Sequence, residues 1–67
     1  MPKTQANAKR LVRLKEGASY LSVSPWTLRR IVQSGAVPIV KIVENGPWLI
    51  DLKDLDSFID QHKQRID

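Results

Sequence analysis

The sequence predicts a mainly α-helical fold with a small β-hairpin. Apolar residues recur at helical spacing in three segments, a β-branched run lies between the second and third, and glycine, proline, serine and asparagine mark the boundaries. The chain of 67 residues has no cysteine, which excludes disulfides and thiolate metal sites, and one histidine does not form a zinc site alone. A chain of this length forms one domain with a modest core.

The first helix is predicted over 14–21. Its apolar positions at helical spacing are Leu14, Ala18 and Leu21. Gly17 within it costs about 1 kcal/mol relative to alanine, which makes sense if another helix crosses closely there. The preceding residues 11–12 are expected to add a short extended segment to the core. Ser22 and Val23 form the turn that follows, with Val23 pointing inward.

The second helix has its start, its end and both faces marked in the sequence. Ser24 is a typical N-cap, Pro25 suits the first helical position, and Gly35 lies where a left-handed residue ends a helix. One face is apolar and carries Leu28, Ile31 and Val32. The other face carries Trp26, Arg29, Arg30 and Gln33. Two guanidiniums, an indole and an amide on one surface favour contact with nucleic acid.

A hairpin is predicted after the second helix. Residues 39–43 are β-branched and aliphatic except for Lys41, the segment 44–47 has turn chemistry, and 48–50 returns as a second strand. Such a hairpin directly after a helix-turn-helix forms a wing. Because an isolated hairpin is marginal in water, it must pack on the helices. We expect Trp48 to provide much of that packing.

The last helix is predicted to begin after Asp51 as N-cap, with Asp54 near the positive end of the helix dipole. Its apolar stripe comprises Leu52, Leu55, Phe58 and Ile59, with Ile66 as a further candidate. Lys63 and Arg65 are expected in its last turns. The carboxylates of its outer face, Asp56 and Asp60, fit a solvated surface better than catalysis, and His62 fits a packed or exposed side chain better than a metal ligand. No catalytic residue, metal or cofactor is predicted.

The charge of the chain is polarised. The net charge is +4, but residues 1–34 carry +6 and residues 35–67 carry −2. A molecule of this kind presents its basic end to a polyanion. We expect 1–10 to be a flexible basic arm and 11–67 the folded domain. No apolar run approaches the roughly 20 residues of a membrane span, and no hydrophobic block follows the first lysines, so we expect a cytoplasmic, nucleoid-associated protein without a membrane partner.

Four segments in order, 11–24, 27–38, 48–50 and 54–59, resemble the excisionase-type, MerR-like winged helix-turn-helix domain. The resemblance covers nearly the whole chain from Leu11 to about Asp60. It implies a two-helix motif, a two-stranded wing and a C-terminal helix, with the second helix in the major groove of duplex DNA and the wing near the backbone or minor groove.

Three positions depart from the family pattern. Ser22 replaces the usual turn glycine, at a cost of about 1–2 kcal/mol if it is left-handed. Arg13 replaces the usual threonine cap of the first helix. The wing, commonly rich in arginine, has Glu44, Asn45 and Pro47 instead. Strong phosphate binding by the wing is therefore not expected, and Lys41 and Asn45 are its remaining candidate contacts.

The predicted DNA-binding residues lie mostly on the second helix. They are Ser24, Pro25, Trp26, Thr27, Arg29, Arg30 and Gln33, joined by Arg13, Lys15, Lys41 and Asn45. Arg29 is expected at base edges, where arginine pairs with guanine O6 and N7, and Arg30 at a phosphate or the neighbouring edge. Trp26 either presses on a thymine methyl or the sugar–phosphate wall, or packs over the wing. Ion pairs of Arg29 and Arg30 with the acidic last helix would contradict this account.

The predicted function is sequence-preferring binding of double-stranded DNA by an excisionase-like architectural factor that bends DNA near integrase sites. The expected partners are DNA, an integrase or recombinase, and neighbouring copies on tandem sites, without a small-molecule ligand. A small phage or plasmid transcriptional regulator is the close alternative. A protein-interaction module without specific DNA binding is the alternative from another class, and an enzyme is not predicted.

Overall fold

Five elements form the fold in the computed structural model, which describes residues 9–66. In chain order they are β1 (Leu11–Arg13), α1 (Leu14–Leu21), α2 (Pro25–Gln33), β2 (Leu49–Asp51) and α3 (Leu52–Gln61). The predicted bounds of α1 and the predicted start of α2 are confirmed. The winged helix-turn-helix fold class is confirmed as well. Residues 1–8 and 67 lie outside the described part, so the predicted arm stays a prediction.

The turn between α1 and α2 is built on a left-handed serine. Ser22 has φ 60° and ψ 38°, and its backbone N–H donates to the carbonyl of Ser19. The N–H of Val23 then donates to the carbonyl of Ala18 at 2.9 Å, which completes the end of the helix. Because a side chain disfavours this conformation, the replacement of glycine by serine stores strain here. At the other end of α1, Arg13 provides no side-chain cap, as predicted.

The core lies where α1, α2, α3 and β2 meet. Its buried residues are Ala18, Leu28, Val37, Ile50 and Leu55. Gly17 explains how closely α1 and α2 approach, because a Cβ at this position would lie 3.0 Å from Leu28 Cδ2. The close helix crossing expected at this glycine is therefore confirmed.

The sheet differs from the predicted hairpin. β2 pairs antiparallel with β1, with Val12 opposite Ile50, so the segment expected to extend the core is one of the two strands. On its other edge β2 contacts the wing only through a bridge between Val40 and Leu49, with N–O distances of 2.7 and 2.9 Å. The predicted strand over 39–43 thus shrinks to Val40.

The outer part of the wing leaves the sheet because a turn closes early. The N–H of Gly46 donates to the carbonyl of Val43 at 2.9 Å, which draws the chain together before a ladder forms. Ile42 and Val43 are 69% and 59% exposed, so no core contact holds this segment against β2. β-branched residues alone predicted a strand that these tertiary contacts do not support.

α3 begins as predicted but ends sooner. The Asp51 carboxylate accepts from the backbone N–H of Lys53 at 2.9 Å and caps the helix. The helix ends at Gln61, so the placement of Lys63 and Arg65 in its last turns was wrong. Ile66 is 90% exposed and does not extend the apolar stripe. The N–H of His62 donates to the carbonyl of Ile59 beyond the last turn, which completes the helix end.

Candidate nucleic-acid interface

α2 presents one buried face and one exposed face. Leu28 on the back is completely buried, and Ile31 and Val32 pack beside it against the core. The front carries Trp26, Arg29, Arg30 and Gln33. All four are exposed, and Trp26 is 67% exposed. This division follows from the spacing of apolar residues along the helix. It leaves the predicted contact residues free to meet a large partner.

The N-terminal hydroxyls of α2 are engaged with each other. Ser24 Oγ accepts from the backbone N–H of Thr27 at 3.1 Å and lies 2.9 Å from Thr27 Oγ1. This bond satisfies one of the free donors of the first turn, as the N-cap prediction required. Pro25 occupies the first helical position. Both residues remain exposed, so their predicted contact with DNA stays a prediction.

The arginines of α2 remain free of carboxylates within residues 9–66. The ion pairs there join Lys9 to Glu16, Arg10 to Asp51 and Lys63 to Asp60, and none of them involves Arg29 or Arg30. The arrangement that would have contradicted the DNA-binding account is therefore not found in the part of the chain that the structure describes. An unpaired guanidinium on an exposed face keeps its donors for a ligand.

Trp48 belongs to this surface, which the sequence interpretation missed. The Arg29 guanidinium carbon lies 5.3 Å from the centroid of the Trp48 ring, at the distance of a cation–π contact. The indole is half-buried but lies outside the core cluster, so its packing role is smaller than expected. A signal was present in the sequence, because the period of two in a strand places Trp48 on the same face as buried Ile50. That is the face that the helices cover.

A groove of about 600 Å³ lies between the start of α1, the first turns of α2 and the base of the wing. Its lining includes Arg13, Lys15, Pro25, Arg29, Pro47 and Trp48. Four of these are predicted DNA-binding residues, drawn together from three elements. Three are cations, and among the described residues no carboxylate lines the groove. Prolines beside basic side chains suit a sugar–phosphate strand, with apolar contact to the sugar and charge for the phosphate.

The wing residues predicted as contacts lie apart from this groove. Lys41 and Asn45 are both exposed in the irregular loop beyond the Val40 bridge, and neither lines the groove. Arg30 and Gln33 also lie outside the lining, further along the front of α2. The structure thus brings Arg13, Lys15 and Arg29 together and leaves the wing tip separate. The role of each predicted residue toward DNA stays a prediction.

The perturbed ionisable groups all lie outside the groove. A hydrogen bond from the Arg10 guanidinium, together with one from the backbone of Lys53, lowers the pKa of Asp51. The same pair raises the pKa of Arg10 above its usual range. The hydroxyl of Tyr20 donates to Asp56 at 2.6 Å, and this bond raises the pKa of Tyr20. These shifts come from pairs that join β2 or α3 to the N-terminal half of the chain.

The two carboxylates on the outer face of α3 are each engaged in one contact. Asp56 accepts from Tyr20, and Asp60 pairs with Lys63 at 3.2 Å. His62 stacks on Phe58 with ring centroids 4.0 Å apart, and its Nδ1 lies 2.9 Å from the Phe58 carbonyl oxygen. Within residues 9–66, no three histidine or acidic side chains lie close enough together to hold a metal ion. No helix in that same part of the chain is long and apolar enough to cross a membrane.

A comparison with protein families gives one match. A family model described as a helix-turn-helix domain matches residues 11–63, which spans every helix and strand of the structure. No curated protein and no solved structure matches the chain.

Proposed function

The chain belongs to the excisionase-type helix-turn-helix family, whose domains bind DNA, and on that premise we propose that it is an architectural factor that binds and bends duplex DNA near integrase sites. One observation carries the proposal: the front of α2 exposes two arginines that have no carboxylate partner within residues 9–66. A B-form major groove admits an α-helix, and this front is its polar, cationic side.

The proposed complex places α2 in the major groove, with Arg29 at a base edge and Arg30 at a phosphate or a neighbouring edge. The groove, through Arg13 and Lys15 of its lining, takes the adjacent sugar–phosphate strand. The net charge of +6 on residues 1–34 draws this side of the chain to the duplex, and it makes binding dependent on salt. Trp26, at the exposed start of α2, contacts a thymine methyl or the backbone wall.

The architectural role rests on size. A single module of this kind buries a small DNA surface, and such surfaces alone give limited specificity. Adjacent sites, DNA bending or a recombinase partner would supply the rest. A short transcriptional regulator uses the same surface, so it is kept as the second form of this proposal. In both forms the protein acts without catalysis, in the cytoplasm and associated with the nucleoid.

A bending assay with permuted sites, together with a footprint on DNA flanking the gene, separates the two forms. A large bend with cooperative filling of tandem sites supports the architectural factor, whereas one operator overlapping a promoter supports the regulator. Lys15→Ala should weaken binding to all DNA sequences by the same factor. Lys63→Ala, which removes a lysine beyond the end of α3 on the acidic half of the chain, is the matched control. Duplex binding that is indifferent to sequence and salt would contradict both forms and leave a protein-interaction module.

A further inference from the structure

We propose that Trp48 is a positioning residue for Arg29: its ring holds the guanidinium so that the base contact of α2 depends on the wing. This inference rests on the proposed function, since it concerns the DNA contact of Arg29. The observation behind it is the 5.3 Å separation between the guanidinium carbon and the ring centroid. It joins α2 to the residue that directly precedes β2, at the far end of the loop that follows α2.

The indole is a firm support because its chain neighbours are fixed. Leu49, the next residue, forms backbone hydrogen bonds with Val40 on one side and lies opposite Arg13 of β1 on the other. Ile50, one residue further, is completely buried in the core. Trp48 itself is half-buried. The ring is therefore restrained by its surroundings, whereas the exposed arginine side chain depends on the ring for its direction.

The other members of the front of α2 have no comparable support. Arg30 has no aromatic ring beneath its guanidinium within residues 9–66, and Trp26 has no cation over its ring there. Of the two arginines, only Arg29 is thus held in one direction. Arg30 and Trp26 become matched controls, because each shares the helix and its exposure with Arg29 but lacks the contact.

An ordered arginine should discriminate better than a free one. A flexible side chain loses rotamer freedom when a base fixes it, and a side chain already restricted loses less. A cation–π contact at an exposed site corresponds to about a two- to fivefold effect on an equilibrium. Loss of the ring should therefore reduce affinity for the preferred duplex by about that factor. For a duplex in which the base contacted by Arg29 is replaced, loss of the ring should reduce affinity less, because Arg29 forms no base contact there.

The test is a double-mutant cycle measured by DNA binding. Trp48→Leu and Arg29→Ala are made singly and together, and affinities are measured for the preferred duplex and for the duplex with that base pair changed. We expect the double variant to bind as tightly as Arg29→Ala alone, because Trp48→Leu should have no further effect once the Arg29 side chain is absent. Trp48→Phe keeps a ring and should restore most of the loss. The cycle of Trp48→Leu with Arg30→Ala should be additive.

A second measurement needs no substitution. In the free protein, the side-chain proton resonances of Arg29 should be shifted upfield by the Trp48 ring current, and those of Arg30 should not. This measurement decides the question if Trp48→Leu fails to fold, which a thermal melt would show. Arg29 resonances at the same positions as those of Arg30 would overturn the proposal.

The outcomes separate this inference from the function on which it rests. If Arg29→Ala weakens binding and relaxes base preference but its effect adds to that of Trp48→Leu, the positioning role is wrong and DNA binding by α2 stands. If Arg29→Ala changes neither affinity nor preference, the base contact is wrong and the positioning role falls with it. Non-additivity with rescue by Trp48→Phe supports both.

Discussion

The two faces of α2 differ in how tightly their atoms are held. On the back, Leu28 is completely buried. It packs so closely on Gly17 that a Cβ at that position would lie only 3.0 Å from Leu28 Cδ2. On the front, Trp26 is 67% exposed and Arg30 has no ion-pair partner within residues 9–66. Arg29 is intermediate, since it is exposed but lies over an aromatic ring.

This contrast separates stability from DNA binding along one short helix. Close packing on the back means that a change of a few atoms there affects folding. Exposure on the front means that a change there affects a ligand and leaves the folded state intact. Substitutions on opposite faces should therefore change different measurements, and a substitution that changed both would break the comparison.

The largest expected effect is that of Leu28→Ala on the back of α2. Removal of a completely buried leucine that packs on Gly17 should lower the free energy of unfolding by about 2–5 kcal/mol. A domain of this length has a total stability of roughly 3–10 kcal/mol, so this loss is a large fraction of the whole. Thermal or urea unfolding followed by circular dichroism measures this. Trp26→Ala is the control on the front, and an equal loss of stability there would contradict the division.

The next effect is that of Arg29→Ala on the front. Loss of its base contact should weaken binding to the preferred duplex by about 1–3 kcal/mol and relax base preference at one position. The melting temperature should stay close to that of the unchanged protein, since the side chain is exposed. Fluorescence anisotropy on a set of duplexes measures the first effect and calorimetry the second. Lys15→Ala is the comparison. It should lower the affinity for every duplex by the same factor, and the dependence of affinity on salt should correspond to about one fewer phosphate contact.

A smaller gain is expected from Ser22→Gly in the turn that sets α2 against α1. Ser22 is left-handed with φ 60°, and glycine adopts this conformation without the clash of a Cβ. The free energy of unfolding should rise by up to about 1 kcal/mol. The matched control is Ser34→Gly, because Ser34 ends α2 in a right-handed conformation and donates to the carbonyl of Ile31. That variant should lose stability, and a gain from both would mean that backbone strain is not the cause.

The smallest effect is the pH dependence of the Arg10–Asp51 pair, which lies on neither face of α2. The Arg10 guanidinium lowers the pKa of Asp51, so the pair stabilises the folded state above the unfolded pKa of about 4. Its contribution is lost as the pH falls through the still lower folded pKa. Asp51→Asn keeps a good N-cap but loses the charge. Its melting temperature should lie below that of the unchanged protein at pH 7. The difference should shrink below about pH 4 and vanish once the pH has fallen through the folded pKa of Asp51.

A control keeps that result specific. Asp60→Asn removes a carboxylate from an exposed pair with Lys63, where an ion pair contributes little. Its melting temperature should follow that of the unchanged protein at both pH values. A pH-dependent difference of equal size in this variant would indicate general charge effects in place of the Arg10 contact.

Local signals were sufficient for the helices. A serine and a proline marked the start of α2, Gly35 lies at its end with φ 88°, and the carboxylate of Asp51 caps α3. These features act within a few residues of chain, so sequence alone is enough to predict them. The exposed arginines followed from the same helical period. Gly17 even allowed a tertiary contact to be predicted, because a residue that is unfavourable inside a helix indicated that another helix packs closely there.

The wing and Trp48 depended on contacts that are distant in sequence. Residues 39–43 have strand propensity, but β2 already pairs with β1, and the turn from Val43 to Gly46 draws the chain away. Propensity does not tell which edge of a strand is occupied. In the same way, the strand period placed Trp48 on the face of Ile50 but did not indicate that Arg29, from a different element, would lie over its ring. At the end of α3, the helical pattern continued beyond Gln61 in the sequence, and helix ends are set by contacts that it does not contain.

The most direct test of the central claim is to follow backbone amide resonances while the protein is titrated with its preferred duplex. If the front of α2 meets the DNA, the largest changes should fall on residues 25–33 and on Arg13 to Lys15 at the edge of the groove. The outer face of α3, with Asp56 and Asp60, should change little. The largest changes on α3, with α2 unaffected, would contradict the account.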